Sequence, residues 1–408
     1  MSNQPNVVLI YTSDTKQAEG AFLRATLEAG GVRVIHLDPS IRPAPDVGAD
    51  IPPAEVAAEA GSTLEQVRDL KHEGKCQAVM TEGATKRLRR LYDEQAINGV
   101  IAVGGSMGTG LACTAMQQLP FGLPKMMIST MASGFTRPYV GTRDIIMVHS
   151  VADISGLNTV TRSVFRNGAL AMAGMATHYQ PATVSDKPLV LLSTLGTTES
   201  CSKRVRQLLE AQGCEAVTFH TTGTGGAALD EIAAEQDVAC VVDMSLVEIN
   251  DLINGGLCSA GPDRCKAALS KGQPVVFAPG NVDFIIAGPI DVAREQFPGK
   301  RYHEHNPALT AVRTDAGDLA NFVDHMAGLI AESTAPVTFL VPLKGFSNHD
   351  SPAGYLLDLE MPPKLFELLK ATLPERVDLR ALDCHINDPA FAEALVEAAM
   401  THCRPRMV

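Results

Sequence analysis

An α/β architecture with mostly parallel sheets is predicted by three observations. Short β-branched runs alternate with segments of helical period, glycine-rich turns stand at the ends of those runs, and the pattern restarts after residue 188. The chain has 408 residues, 45% of them hydrophobic and 20% charged. That is enough for large cores, too apolar for wholesale disorder, and long enough for two domains.

In chain order, Val7 to Tyr11 reads as a buried strand. Residues 17–29 follow as a helix, with Ala21, Phe22, Ala25 and Leu27 mostly on one side and Gly30-Gly31 as its stop. Val32 to Leu37 is the next strand, and the Pro-rich stretch 40–53 reads as irregular. Helices are expected at 54–73 and 82–97, a strand at Gly99 to Val103, a helix near 107–118 and a strand at 125–129. Residues 180–188 form a polar, Pro-bounded break. Leu189 to Leu192 then repeats the character of Val7 to Ile10. A helix at 200–212, a strand at 216–220, a glycine-rich turn at 222–226 and a strand at 238–242 follow, with further strands at 274–278, 309–313, 337–341 and 379–383. The expectation is two Rossmann-like three-layer domains, 1–185 and 186–408, with an interdomain cleft.

Composition narrows the function. The net charge is −12, the wrong sign for coating phosphates, so nucleic acid is not expected as a partner. The one basic run, Lys86-Arg87-Leu88-Arg89-Arg90, reads as a solvated helix face. Nine scattered cysteines without a C-x-x-C pair fit reduced thiols in a cytoplasmic protein. No signal-peptide pattern precedes the first strand, and the most apolar helical stretch, Gly168 to Ala176, is too short to span a membrane.

Open α/β sheets bind ligands beyond the carboxyl ends of their strands. Four segments of the first half are expected there. Thr12-Ser13-Asp14-Thr15-Lys16 opens a helix, where free amides and the positive dipole end favour an anion and Lys16 adds charge. Asp14 is a candidate magnesium ligand or a helix cap. In Gly104-Gly105-Ser106-Met107-Gly108-Thr109-Gly110 the glycines let backbone approach a phosphate, without the spacing of a Walker A loop or a dinucleotide fingerprint. Ser129, Thr130, Met131, Ala132, Ser133 and Gly134 form a small, hydroxyl-rich loop at another strand end. Gly141-Thr142-Arg143-Asp144 adds a charged pair, either a salt bridge or part of the site.

The second half holds two more candidates. Gly223-Thr224-Gly225-Gly226-Ala227-Ala228 fits G-x-G-x-x-G/A, with Asp243 where a ribose-binding acid belongs. That spacing raises an NAD-dependent oxidoreductase as one alternative. His305, Asn306, Asp350, His385 and Asp388 lie in segments rich in imidazole and carboxylate. A second alternative is therefore an enzyme in the interdomain cleft, acting on a small acid or phosphorylated metabolite, with His305, Asp350, His385 and Asp388 catalytic. Ordinary loop polarity and helix capping account for the same residues. No G-x-S-x-G elbow is present, which argues against a serine hydrolase.

Taken together, Ser-Asp-Thr-Lys at 13–16, Gly-Gly-Ser-Met-Gly-Thr at 104–109, Ser-Thr-Met-Ala-Ser-Gly at 129–134, Thr-Gly-Thr-Gly-Gly at 222–226, His-Asn-Pro at 305–307 and His-Ile-Asn-Asp at 385–388 are specific in order and spacing. Over nearly the whole chain they resemble the uncharacterised protein family typified by the tomato mosaic virus resistance protein. The resemblance implies an ATP-binding protein with two Rossmann-like halves that forms a homodimer, and it implies no reaction. On that reading ATP, with magnesium, is held by Thr12, Asp14, Thr15, Lys16, Gly104, Gly105, Ser106, Gly108, Thr109, Ser129, Met131, Ala132 and Ser133, and Asp14 is the metal ligand. Met107 stands where the family pattern has glycine, and Gln17 where it often has glycine after the lysine.

Overall fold

The computed structural model describes residues 4–181 and 185–403; of the expected break at 180–188, residues 182–184 lie outside the described residues. The chain forms two compact units, Met1–Thr183 and Val184–Val408. The first runs β1 (Asn6–Ile10), α1 (Gln17–Ala29), β2 (Arg33–Leu37), α2 (Pro53–Glu59), α3 (Leu64–Asp69), α4 (Glu73–Asp93), β3 (Gly99–Gly104) and α5 (Ser106–Gln117). It closes with β4 (Lys125–Ser129), α6 (Arg137–Val140), β5 (Ile146–His149) and α7 (Thr159–His178). Its sheet is parallel, in the order β2-β1-β3-β4-β5.

Burial on both faces explains the unbroken apolar run in β1. Val8 and Ile10 pack with Met80, Ala84, Leu88, Leu111 and Met116 of α4 and α5. Val7 and Leu9 pack with Leu23, Leu27, Phe165, Ala169 and Met172 of α1 and α7. Alternate residues thus serve two helical layers, as a doubly covered parallel strand requires.

The second unit repeats the plan. Its elements are β6 (Leu189–Thr194), α8 (Glu199–Ala211), β7 (Glu215–His220), α9 (Gly225–Glu235), β8 (Cys240–Asp243), α10 (Val247–Asn254), α11 (Lys266–Ser270) and β9 (Val275–Phe277). Next come β10 (Phe284–Ala287), α12 (Ile290–Gln296), β11 (Tyr302–Asn306), β12 (Leu309–Arg313) and α13 (Ala316–Ala331). The unit ends with β13 (Val337–Pro342), α14 (Met361–Thr372), β14 (Asp378–Leu382) and α15 (Pro389–His402). The parallel sheet has the order β14-β13-β9-β8-β6-β7, and a small antiparallel sheet, β10-β12-β11, stands beside it in the same unit. Both units are Rossmann-like: in each, the first strand lies between the second and the third.

Several elements depart from the sequence pattern. The expected helices at 54–73 and 82–97 are instead α2, α3 and α4. Gly61 (φ +73°) and Lys71 (φ +48°) break the chain in left-handed conformations. Thr63, in a capping box with Gln66, and His72, whose ring accepts from Lys75 N, restart it. Sequence periodicity also missed β5, β10 and the polar β11. In α4 the basic run is ion-paired: Lys86 to Glu82, Arg87 and Arg90 to Glu59, and Arg89 to Asp93. All nine cysteines are free thiols. Among the described residues no helix is long and apolar enough to cross a membrane.

Asp251 of α10 carries a pH prediction. It is buried, with its carboxylate accepting from Cys258 N (2.8 Å) and Ile286 N (3.1 Å). Burial pushes this carboxyl up to about 7 despite those bonds. The folded chain therefore keeps a proton that the unfolded chain releases near pH ~3.9. That contribution to stability is complete below the unfolded value and is lost as pH rises through about 7. In thermal unfolding, the advantage of wild type over the non-titrating Asp251→Asn should shrink steadily from pH 5 to pH 8; a gap independent of pH would contradict it.

Candidate functional site

The crossover between β1 and β3 creates a crevice at their carboxyl ends, because the chain leaves the two adjacent strands toward opposite faces of the sheet. A cavity of about 570 Å³ lies there. Its wall includes Thr12, Asp14, Thr15 and Lys16 after β1, and Gly104, Gly105, Ser106, Met107 and Gly108 at the start of α5. Two segments separated by some 90 residues are thus brought to one site.

The two segments offer different chemistry. The 12–16 loop does not present the free amides expected of it. Ser13 N donates to Asp38, Asp14 N to Ser40, and Thr15 N and Lys16 N to the Thr12 carbonyl. The amides of residues 13–16 are taken up by Asp38, Ser40 and the Thr12 carbonyl, and the loop contributes side chains. At α5 the situation is reversed. Its cap, Gly105, has no side chain to offer, and Thr109 N is the first amide of the turn to be satisfied, by the Gly105 carbonyl. Among the described residues no acceptor faces the Ser106, Met107 and Gly108 amides, so a helix N-terminus with three open donors borders the cavity.

Charge at the cavity runs against the acidic balance of the chain. Lys16, Arg42 and Lys71 line it, against Asp14 and Glu73. The Lys16 ammonium donates to the Ile154 carbonyl, which holds the stem in place. Asp14 Oδ2 accepts from Arg42 N (3.1 Å), and Arg42 pairs with Glu73 (3.3 Å). Ile10, Tyr11, Ile41, Val103 and Leu111 supply an apolar wall. Tyr11 is held by stacking on His36, with ring centroids 3.8 Å apart and planes 5° from parallel. Pattern reading missed Arg42, Lys71, His72 and Gln77. The left-handed Lys71 and the His72 cap, at the join of α3 and α4, were the only local signals.

Thr109, Ser129, Met131, Ala132 and Ser133 do not line this cavity. Thr109 and Ser129 are fully buried and share a hydrogen bond of 2.6 Å, tying α5 to β4. Thr109 also donates to the Gly105 carbonyl (2.7 Å), and Ser129 accepts from Met131 N (2.9 Å). Thr109 and Ser129 thus brace the start of α5 from behind the cavity.

In the second unit the dinucleotide alternative fails on geometry. The 223–228 loop follows β7, an edge strand, instead of the first strand of the unit. The amides of Gly223 and Gly226 both donate to Glu248 Oε1, at 2.7 and 3.1 Å. Asp243 is clamped by two bonds to Arg264, at 2.7 and 2.9 Å, and accepts from Ser193. Arg264 also reaches Glu248 (2.8 Å) and Asp230 (3.4 Å). A Cβ on Gly226 would fall 1.7 Å from Glu248 Oε2 and 2.2 Å from Arg264 Nε. The glycine is needed for close approach to this internal ion cluster, which occupies the donors and the acid that a pyrophosphate and a ribose would use.

The His and Asp residues of the C-terminal third separate into two kinds. Asp350, His385 and Asp388 are engaged in loop structure. Asp350 is fully buried, accepts from Phe346 N and Asp358 N, and lies 3.4 Å from Arg313. Burial and the neighbouring Asp283 push its carboxyl up to about 7. His385 uses both ring nitrogens, Nε2 with the Ser347 carbonyl and Nδ1 accepting from Asn387 N. Asp388 accepts from His385 N. His305 is different: it stands exposed beside His303 and His349. Burial, with His303 and His305 nearby, pulls the His349 imidazole down to about 4.

Residues 5–181 match the N-terminal domain of the uncharacterised protein family UPF0261, and residues 187–403 match its C-terminal domain. The chain belongs to the UPF0261 family. A UPF0261 protein of Clostridium tetani is 34% identical over 392 residues, covering 96% of this chain and 97% of the relative. One from Mesorhizobium japonicum is also 34% identical, over 95% of this chain and 97% of its own length. The ToMV resistance protein Tm-1 of Solanum lycopersicum is 32% identical over 97% of this chain, which matches 56% of that longer protein. The two family domains together span both units.

Proposed function

We propose that this UPF0261 protein binds ATP in the cavity at the β1/β3 crossover. One observation carries the reading: three unpaired amides at the start of α5 border a cavity with three cationic side chains, in a chain of net charge −12. A polyanion is the ligand class this favours. The triphosphate would lie on Ser106, Met107 and Gly108, with Lys16 as counter-charge. The base would rest on the apolar wall near Tyr11 and Ile41. Among the described residues nothing donates to Asp14 Oδ1, so it suits a magnesium ion that arrives with the nucleotide and retains most of its waters. Among polyanions, ATP is the one that the resemblance described under the sequence analysis supports.

Thermal unfolding with and without nucleotide tests this. ATP at about 100 times its Kd should stabilise the first unit by about 2.7 kcal/mol, whereas AMP at the same concentration should give a much smaller shift. Lys16→Glu should weaken ATP by at least about tenfold, or 1.4 kcal/mol. Equal shifts with ATP and AMP, or an unchanged affinity in a folded Lys16→Glu protein, would remove the proposal.

A further inference from the structure

The β10-β12-β11 sheet presents two imidazoles on one face, because side chains alternate along a strand and His303 and His305 are two apart. Pairing with β12 becomes irregular between Glu304 and Asn306, which re-aims the strand at His305. His303 is paired with Ala311, whose side chain packs with Phe284 and Leu356. This face therefore looks toward the 347–356 segment. That segment supplies His349 from a short turn. Ser347 Oγ accepts from His349 N (3.0 Å), and the buried Asp350 ties the turn to Phe346 N and Asp358 N.

Aromatic packing orients the rings. Tyr355 stacks on His303 with centroids 4.5 Å apart and planes 8° from parallel. Phe284 meets His349 edge-on at 5.3 Å, and the His303 and His349 centroids are 4.7 Å apart. One nitrogen from each of His303, His305 and His349 lies within 4.8 Å of the other two. Among the described residues no hydrogen bond is made by any of these ring nitrogens, whereas His385 in the neighbouring loop has both of its nitrogens bonded. Three imidazoles brought together and left without protein partners are not accounted for by loop structure.

We propose that His303, His305 and His349 bind a divalent transition-metal ion of the zinc class, with the remaining coordination position open to water. An all-nitrogen ligand set selects zinc, cobalt, nickel or copper over magnesium and calcium, which prefer oxygen. Three protein ligands with an open position is the arrangement of catalytic zinc sites. Tetrahedral Zn–N bonds of about 2.1 Å require the nitrogens to be about 3.4 Å apart. The exposed His305 side chain can swing inward to close the set. The site is in the second unit and does not depend on the nucleotide reading.

The test uses the full, tag-free chain, stripped with chelator, at pH 7.5. Zinc chloride titrated by calorimetry should bind one equivalent, and cobalt(II) should give the intense visible bands of a four- or five-coordinate site. His305→Ala and His349→Gln should each weaken zinc by at least about 100-fold, while His178→Ala in the first unit changes nothing. Circular dichroism is to check that each variant is folded; His305 is exposed, so its removal should leave the strand intact. Zinc affinity unchanged in folded His305→Ala, or absent from wild type, would overturn the site.

Discussion

Gly108→Asp should abolish most ATP binding without destabilising the protein. A Cβ at Gly108 has the Val103 carbonyl 3.9 Å away as its nearest neighbour, an ordinary contact, so the substitution fits. The new carboxylate sits in the first turn of α5, where a negative charge interacts favourably with the helix dipole, by about 0.3–1 kcal/mol. The same charge stands where the triphosphate is proposed to lie, and it competes for the open amides of residues 106–108. We expect at least about a 100-fold rise in the Kd for ATP, close to 3 kcal/mol, with an unfolding midpoint equal to or above wild type. Gly108→Ala serves as the control, since it adds the carbon without the charge and should retain most of the affinity. Fluorescent-nucleotide titration and thermal unfolding on the same preparations give both numbers. Wild-type ATP affinity in Gly108→Asp would place the phosphates elsewhere.

The second large effect concerns stability alone. Arg264 is buried and is the shared cation of Asp243, Glu248 and Asp230. Removing it leaves carboxylates in a low-dielectric core without their counter-charge. Breaking a buried ion pair in this way costs about 3–5 kcal/mol. Burial already pushes Asp230 up to about 6 with Arg264 in place, so the remaining acids would take up protons. Arg264→Ala should therefore destabilise the second unit by that amount in denaturant unfolding, and the loss should be smaller at pH 5 than at pH 8. ATP-induced stabilisation of the first unit should persist. A loss below about 1 kcal/mol would show that the cluster is not a structural tie.

The two experiments separate features that look alike in one dimension. Both units have glycines after a strand. At residues 104–108 the glycines leave amides open to a cavity, and at 223–226 they make room for a buried carboxylate and guanidinium. Spacing cannot distinguish these cases. Glu248 and Arg264 lie 22 and 38 residues beyond Gly226, and only the tertiary fold of α9, α10 and the 264 loop brings them together. The same holds for the His cluster. His303 and His305 are near neighbours in sequence, but His349 arrives from the segment after β13, which also carries Tyr355, and Phe284 of β10 packs against the His349 ring from a third segment.

Local sequence by itself determined most of the strands, many of the long helices and the two-fold repetition of the α/β plan. Buried parallel strands need apolar side chains on both faces, and helices carry their caps and stops within a few residues. It also placed Lys16 and the 104–108 glycines at strand ends, where a parallel sheet puts its ligands. Tertiary structure alone decided which amides are free, which carboxylates are already neutralised and which histidines meet. Those outcomes depend on partners dozens of residues away, and a donor's availability is a property of whatever folds against it, not of the residue that carries it.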